Sequence, residues 1–290
     1  MNAGSNRFSR IIRSFSALVL LACAPLATAQ TAQPPSATLP VSVTAAGNHA
    51  DIVIGSASAP IAEVSLDFQD ATGLSLASLG ASAQVVDVSD PVLLARLPGS
   101  TLTTVANALP VMLTIEPPAN GGLSFRGTGR MEIHTHALPY SVGSFFRVFK
   151  APLGGAFRDV TDEIAQGSVR ARTTYGGFSQ FLILVDLRST SSVVDEKIGS
   201  LRAQVDALST SERGSLIALL NRAEAAIDGA DYANAIDAIG DFRTRVQERA
   251  GQFIPNEWRA TRNVENQAGQ LIAGVNSLGF SVAYLRDFGQ

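Results

Sequence analysis

Between residues 37 and 188, apolar and polar positions alternate in short runs separated by turn signals. In Glu63-Val64-Ser65-Leu66-Asp67-Phe68 the apolar side chains fall on one side and the polar ones on the other, as a strand with one buried and one wet face requires. Similar β-rich runs lie at 41–44, 51–54, 84–88, 111–115, 130–137, 145–150, 169–172 and 180–187. Asn120-Gly121-Gly122, Gly154-Gly155 and Gly176-Gly177 supply the positive-φ positions that tight connections need. One short helix interrupts the series, with Asp90 as N-cap, Pro91 in the first turn and residues 92–97 following. Strands at this spacing, without long intervening helices, predict an antiparallel β-sandwich rather than a parallel sheet.

The period changes after residue 193. Apolar residues at 194, 198, 201, 205 and 208 mark one helical face. Ser209 and Glu212 have the spacing of a capping box, Leu216 to Ile227 form a second stripe, and Gly229 stops it. Asp231 caps a third helix that carries Tyr232, Ile236, Ile239, Phe242 and Val246 and ends at Gly251. A fourth is expected from Pro255 through Trp258, Val264, Leu271 and Val275 to Gly279, leaving an apolar tail from Phe280 to Phe288 that should pack back as a docking segment. Short joins make neighbouring helices antiparallel. The expected fold class is therefore all-β plus all-α with two domains: an antiparallel β-sandwich over 37–188, a linker at Ser189-Thr190-Ser191-Ser192, and a small antiparallel helical bundle over 193–290.

The first thirty residues follow neither period. Arg7, Arg10 and Arg13 precede an apolar run from Phe15 to Ala24, then Pro25 and Ala27-Thr28-Ala29, the layout of an export signal cut near Ala29. The run is too short to span a bilayer, so no transmembrane segment is expected in the mature chain. Cys23 is the sole cysteine, and Leu20-Leu21-Ala22 before it also fits a lipoprotein-processing box, so a lipid anchor at Cys23 is the alternative to a free secreted or periplasmic protein. Neither route provides a disulfide or a thiolate metal site. Losing three arginines from 22 basic residues leaves 19 against 25 acidic ones, a net charge of about −6. With the basic residues scattered singly, this argues against nucleic acid as a partner.

The clearest candidate for chemistry is Glu132-x-His134-x-His136, because strand alternation puts the three side chains on one face and Met131, Ile133 and Ala137 on the other. Two imidazoles and a carboxylate could hold a metal ion, while the plainer reading is a solvated strand face over a buried one. His49 is distant in sequence. Asp87, Ser89 and Asp90, and Asp159, Thr161, Asp162 and Glu163, offer oxygen ligands for calcium but lack the regular spacing of a dedicated loop, and are better read as caps and turn-forming acceptors. Signatures of serine hydrolases, phosphate-cradling loops and zinc peptidases are absent from the chain. Glu116 and Glu132 are strand-borne acids of the kind a glycosidase pairs in space. Phe145, Phe146, Phe149, Phe157, Phe178 and Phe181 are expected in the core, and Trp258 on the helical part. Arg126, Arg130, Arg147, Arg158, Arg170 and Arg172 could line a face for an acidic glycan or headgroup, with Asp159, Asp162 and Glu163 close enough to neutralise it.

Gly154-Gly155-Ala156-Phe157-Arg158-Asp159-Val160-Thr161, Gly167-Ser168-Val169 and Phe178-Ser179-Gln180-Phe181 resemble the closing hairpin of β-sandwich modules in bacterial exported surface proteins. With the segment Asp90 to Pro98, Ile115-Glu116-Pro117-Pro118 and Glu132 to His136, they resemble an uncharacterised family of secreted Gram-negative proteins over most of the chain. Gly229-Ala230-Asp231-Tyr232 through Phe242 is similar to the helical modules that end many bacterial extracellular proteins, which implies a spacer or adhesion role. Neither resemblance implies a catalytic residue or a cofactor. The expectation is an exported, non-catalytic binding or structural protein of the cell envelope or extracellular space, its partner an envelope protein or glycan. The alternative is a metal-dependent or carboxylate-based hydrolase acting on an envelope polymer.

Overall fold

The computed structural model describes residues 37–289; the expected leader and Cys23 lie outside the described residues. Two antiparallel sheets of seven strands each face one another. Their strands are β1 (Thr38–Leu39), β2 (Val41–Ala46), β3 (His49–Ser56), β4 (Ala59–Thr72), β5 (Ala81–Val85), β6 (Thr103–Val105), β7 (Val111–Ile115), β8 (Ser124–Thr135), β9 (Phe146–Ala151), β10 (Arg158–Asp159), β11 (Glu163–Ala165), β12 (Val169–Tyr175), β13 (Gln180–Asp186) and β14 (Glu257–Arg259). One sheet runs β1-β5-β7-β13-β9-β10 with β6 beside β13; the other runs β11-β12-β8-β4-β3-β2 with β14 beside β8.

The inner faces carry the alternation read from sequence. Ile52 and Ile54, Val64, Leu66 and Phe68, Met131 and Ile133 come from one sheet and meet Leu113, Ile115, Val148, Phe181 and Ile183 from the other, all buried. The β7 to β13 sheet is covered on its outer side as well. There Leu93 and Leu97, Val105 and Phe157 close over Met112, Phe149, Leu182 and Leu184. Leu93 belongs to helix α2 (Pro91–Leu94), which Asp90 caps by accepting from the Val92 amide at 2.9 Å; α1 (Leu76–Leu79) is a second single turn.

Four longer helices follow: α3 (Thr190–Asp206), α4 (Arg213–Asp228), α5 (Tyr232–Arg249) and α6 (Gln267–Phe288). They share their own core, built from Val194, Ile198 and Leu201, Leu216 and Leu220, Ile239, Phe242 and Val246, and Leu271, Val275 and Leu278. Helices and sheets are not separated. The described residues, 37–289, fall in a single compact unit, with α6 packed on β8 and β12. Change of element type near residue 189 therefore does not open a gap between two bodies.

Two local expectations are corrected. Glu212 is the N-cap residue of α4 by position, but no side chain caps that end. Its buried carboxylate instead accepts from Arg245 at 2.8 Å, with Arg249 at 3.5 Å, so the interhelical pairing takes the group a capping box would have used. The fourth helix does not begin near Pro255. Glu257, Trp258 and Arg259 pair with Arg126, Phe125 and Ser124 as an added strand of the sheet, and the helix starts only after Asn266. Asn266 is fully buried; it accepts from the Gly269 amide at 2.8 Å and donates to the Gly127 carbonyl at 2.6 Å. From there α6 continues through Gly279 into the expected tail, whose Tyr284 hydroxyl donates to the Gly143 carbonyl at 2.8 Å.

Candidate functional site

Between the sandwich and the helical layer lies a cleft of about 530 Å³. Its sheet-side wall comes from the ends of β9, β10 and β12 and the turn after β12; its helical wall from α3 and the first turns of α6; Trp258 of β14 closes one side. Glycine at 176 and 177 allows the walls to meet. Neither has a positive φ, so the positive-φ role expected of this pair is corrected, although it does lie in the connection from β12 to β13. A Cβ on Gly176 would lie 2.5 Å from the Gly269 carbonyl carbon, and one on Gly177 would lie 2.9 Å from Trp258 Cδ1. These two positions are small because a helix start and an indole press against the backbone.

Alternation places Lys150 unusually. On β9, Phe146 and Val148 turn toward the core between the sheets, and Lys150 is the next residue on that face. Its register neighbours are Phe181 on β13 and Arg158 on β10. A row thus runs outward from Leu113 through Phe181 and Lys150 to Arg158, from the core to the rim of the cleft. The ammonium of Lys150 donates to the Gly177 carbonyl. Burial, with Arg262 nearby, pushes its pKa down to about 8. Among the described residues no carboxylate is paired with it.

Lys197 of α3 also reaches the cleft but is matched. Its Nζ lies 2.7 Å from Asp159 Oδ2, both side chains being buried, and it donates to Ser281 Oγ at 2.8 Å and the Ser277 carbonyl at 3.1 Å. Burial would raise the Asp159 carboxyl, yet the ammonium beside it and the Thr161 hydroxyl hold it below the usual range. Glu196 pairs with Arg188 at 2.6 Å. On the helical wall, the buried Oε1 of Gln204 accepts no hydrogen bond.

A second cleft of about 600 Å³ shares Thr174 with the first and is lined by Arg130, Asp162, Arg243 and Asn276 among others. Thr174 donates to Asp162 at 2.6 Å and accepts from Asn276 at 3.1 Å. Burial pushes the Asp162 carboxyl up to about 7, against the opposing pull of that hydroxyl.

The expected metal ligands do share one sheet face. The rings of His134 and His136 are 4.6 Å apart. Their neighbours are occupied otherwise. Both oxygens of Glu132 accept from guanidinium groups, Arg170 and Arg172, at 2.6 Å each, and His134 contacts Glu63 at 3.2 Å and Ser168 at 2.9 Å. Among the described residues no three or more His, Cys, Asp or Glu side chains are placed to hold a metal ion. His49 stands apart on β3 beside Asp51 and Asp67. Asp87 accepts from the amide and hydroxyl of Ser89, and Asp159 from those of Thr161, as turn-forming acceptors do. Glu116 pairs with Arg262 at 2.6 Å. Of the six arginines, Arg147 is buried beneath Phe280 and Tyr284 while Arg158 faces the cleft, so they do not form one surface.

Sequence reading passed over Lys150 and Lys197, although both carry a signal. Lys150 extends the Phe146-x-Val148 alternation, and Lys197 falls on the Val194, Ile198 and Leu201 face of a helix. A charged residue on an apolar face is the mark of a buried pair or a site.

The architecture defines an antiparallel β-sandwich with a layer of four helices laid against it and a cleft where the two meet. The chain belongs to the Family of unknown function (DUF6689), whose model matches residues 17–286. No curated protein and no solved structure matches it. Among the described residues no helix is long and apolar enough to cross a membrane.

Proposed function

We propose that this is an exported, non-catalytic binding protein of the cell envelope or extracellular space, and that it holds a small molecule in the cleft between sandwich and helices. The observation that carries the reading is the cleft itself: about 530 Å³, within the span of ligand sites, with both apolar walls and inward polar groups. Its acids are already committed to cations, Asp159 to Lys197 and Glu196 to Arg188, which suits holding a ligand better than acid–base work on one. The basic and apolar leader supports export, with cleavage near Ala29 or lipidation at Cys23 as the two routes.

Native mass spectrometry of protein purified without denaturation from an envelope fraction tests the reading. A retained small-molecule adduct, lost in the cleft-filling variant Ser200→Phe, is the expected result. An adduct-free wild type, or an adduct that survives in Ser200→Phe, would count against the cleft. The mass of the mature N-terminus separates the two export routes, and an intact leader on cytosolic protein would refute both.

A further inference from the structure

Lys150 and Arg158 sit directly opposite each other on β9 and β10 with side chains on the same sheet face. Like charges in that relation repel. The usual remedy, an intervening carboxylate, is missing among the described residues: Lys150 donates to a backbone carbonyl and Arg158 to Ser200 Oγ at 3.0 Å. The nearby acids do not relieve them, because Asp159 is held by Lys197 and Glu196 by Arg188. Arg262, a third cation close to Lys150, is paired with Glu116. Beyond this basic end the cleft is lined by Val193, Leu201, Ala273 and Phe178. The Trp258 ring is stacked with Phe125 at 5.4 Å and has the Arg262 guanidinium 4.5 Å from its centre.

From this juxtaposition we propose that the cleft takes an amphipathic organic anion, its carboxylate or phosphate between Lys150 and Arg158 and its apolar body along the wall of Val193, Leu201 and Ala273. The proposal rests on the cleft being the binding site. An anionic group there supplies the charge that the pair lacks, and accepts from both cations in an environment where such bonds are stronger than in water. Lys150 then has a carboxylate or phosphate as acceptor in addition to the Gly177 carbonyl.

Trp258 is the sole tryptophan of the chain, so intrinsic fluorescence reports on this cleft. Titration of the purified protein with octanoate, octyl phosphate, 1-octanol and octylammonium compares two anions with a neutral and a cationic chain of the same length. Both anions should bind about tenfold or more tightly than 1-octanol, and octylammonium more weakly still. The ratio of octanoate to 1-octanol affinity should fall to about one in Lys150→Gln and remain high in Lys150→Arg. A preference for only one of the anions identifies the headgroup. Affinities for both anions no higher than for 1-octanol in the wild type, or an anion preference unchanged by Lys150→Gln, would overturn the anion site and leave the cleft standing. No response to any of the four would overturn the cleft as well.

Discussion

At the residue level, the stability of the interface turns on a few buried charges. Removing Lys197 while Asp159 stays leaves an uncompensated carboxylate between β10 and α3. Lys197→Met should cost about 3–5 kcal/mol in urea unfolding, and adding Asp159→Asn should recover part of the loss. Asp162 gives the opposite kind of effect. Its folded pKa, about 7, lies above the ordinary value of 3.8, so between these values the folded state holds more proton than the unfolded one. This group's contribution is therefore full below about pH 4 and lost as pH rises toward 7. The thermal midpoint of Asp162→Asn should decline less than that of the wild type between pH 5 and 8, with the difference measured by circular dichroism. Equal slopes would show that Asp162 is as solvated in the fold as out of it.

Among the elements, α6 bears most of the contact between layers. Gly176 lies against its first turn, where a Cβ would meet backbone rather than a movable side chain. Gly176→Ala should cost about 1–3 kcal/mol, read by chemical denaturation. The other end of α6 buries Val282 and Tyr284, and Arg147 lies over the Tyr284 ring at 4.3 Å. Deleting residues 281–290 should lower the thermal midpoint by about 5–10 °C, and no change would remove the docking role of the tail. How legible these elements were depended on how local their causes are. The Val64, Leu66 and Phe68 face, the Asp90 cap and the Asp231 cap act within a few residues and could be read directly. The residues around Trp258 could not, because what makes them a strand is the end of β8 at Ser124–Arg126, which β12 does not reach, more than a hundred positions earlier. The same holds for the cleft: Lys150 and Arg158 are separated by a loop, and only the pairing of β9 with β10 sets them side by side.

For the molecule as a whole, the sharing of side chains across the layers predicts joint unfolding. Asn266 spans from α6 to β8, Asn276 to β12 and Ser277 to β10, so neither half keeps its polar groups satisfied without the other. Calorimetry should give one transition with equal calorimetric and van't Hoff enthalpies; two resolved transitions would mean that sandwich and helices melt independently. The added strand β14 bears also on when the protein can fold. A growing polypeptide that stops at residue 250 has made every other strand yet lacks the segment that covers Phe125, so its second sheet has an uncovered aromatic edge. Completion waits until almost the last helix has been synthesised. The sheet is therefore closed by a segment near residue 258, made long after the strands that it joins.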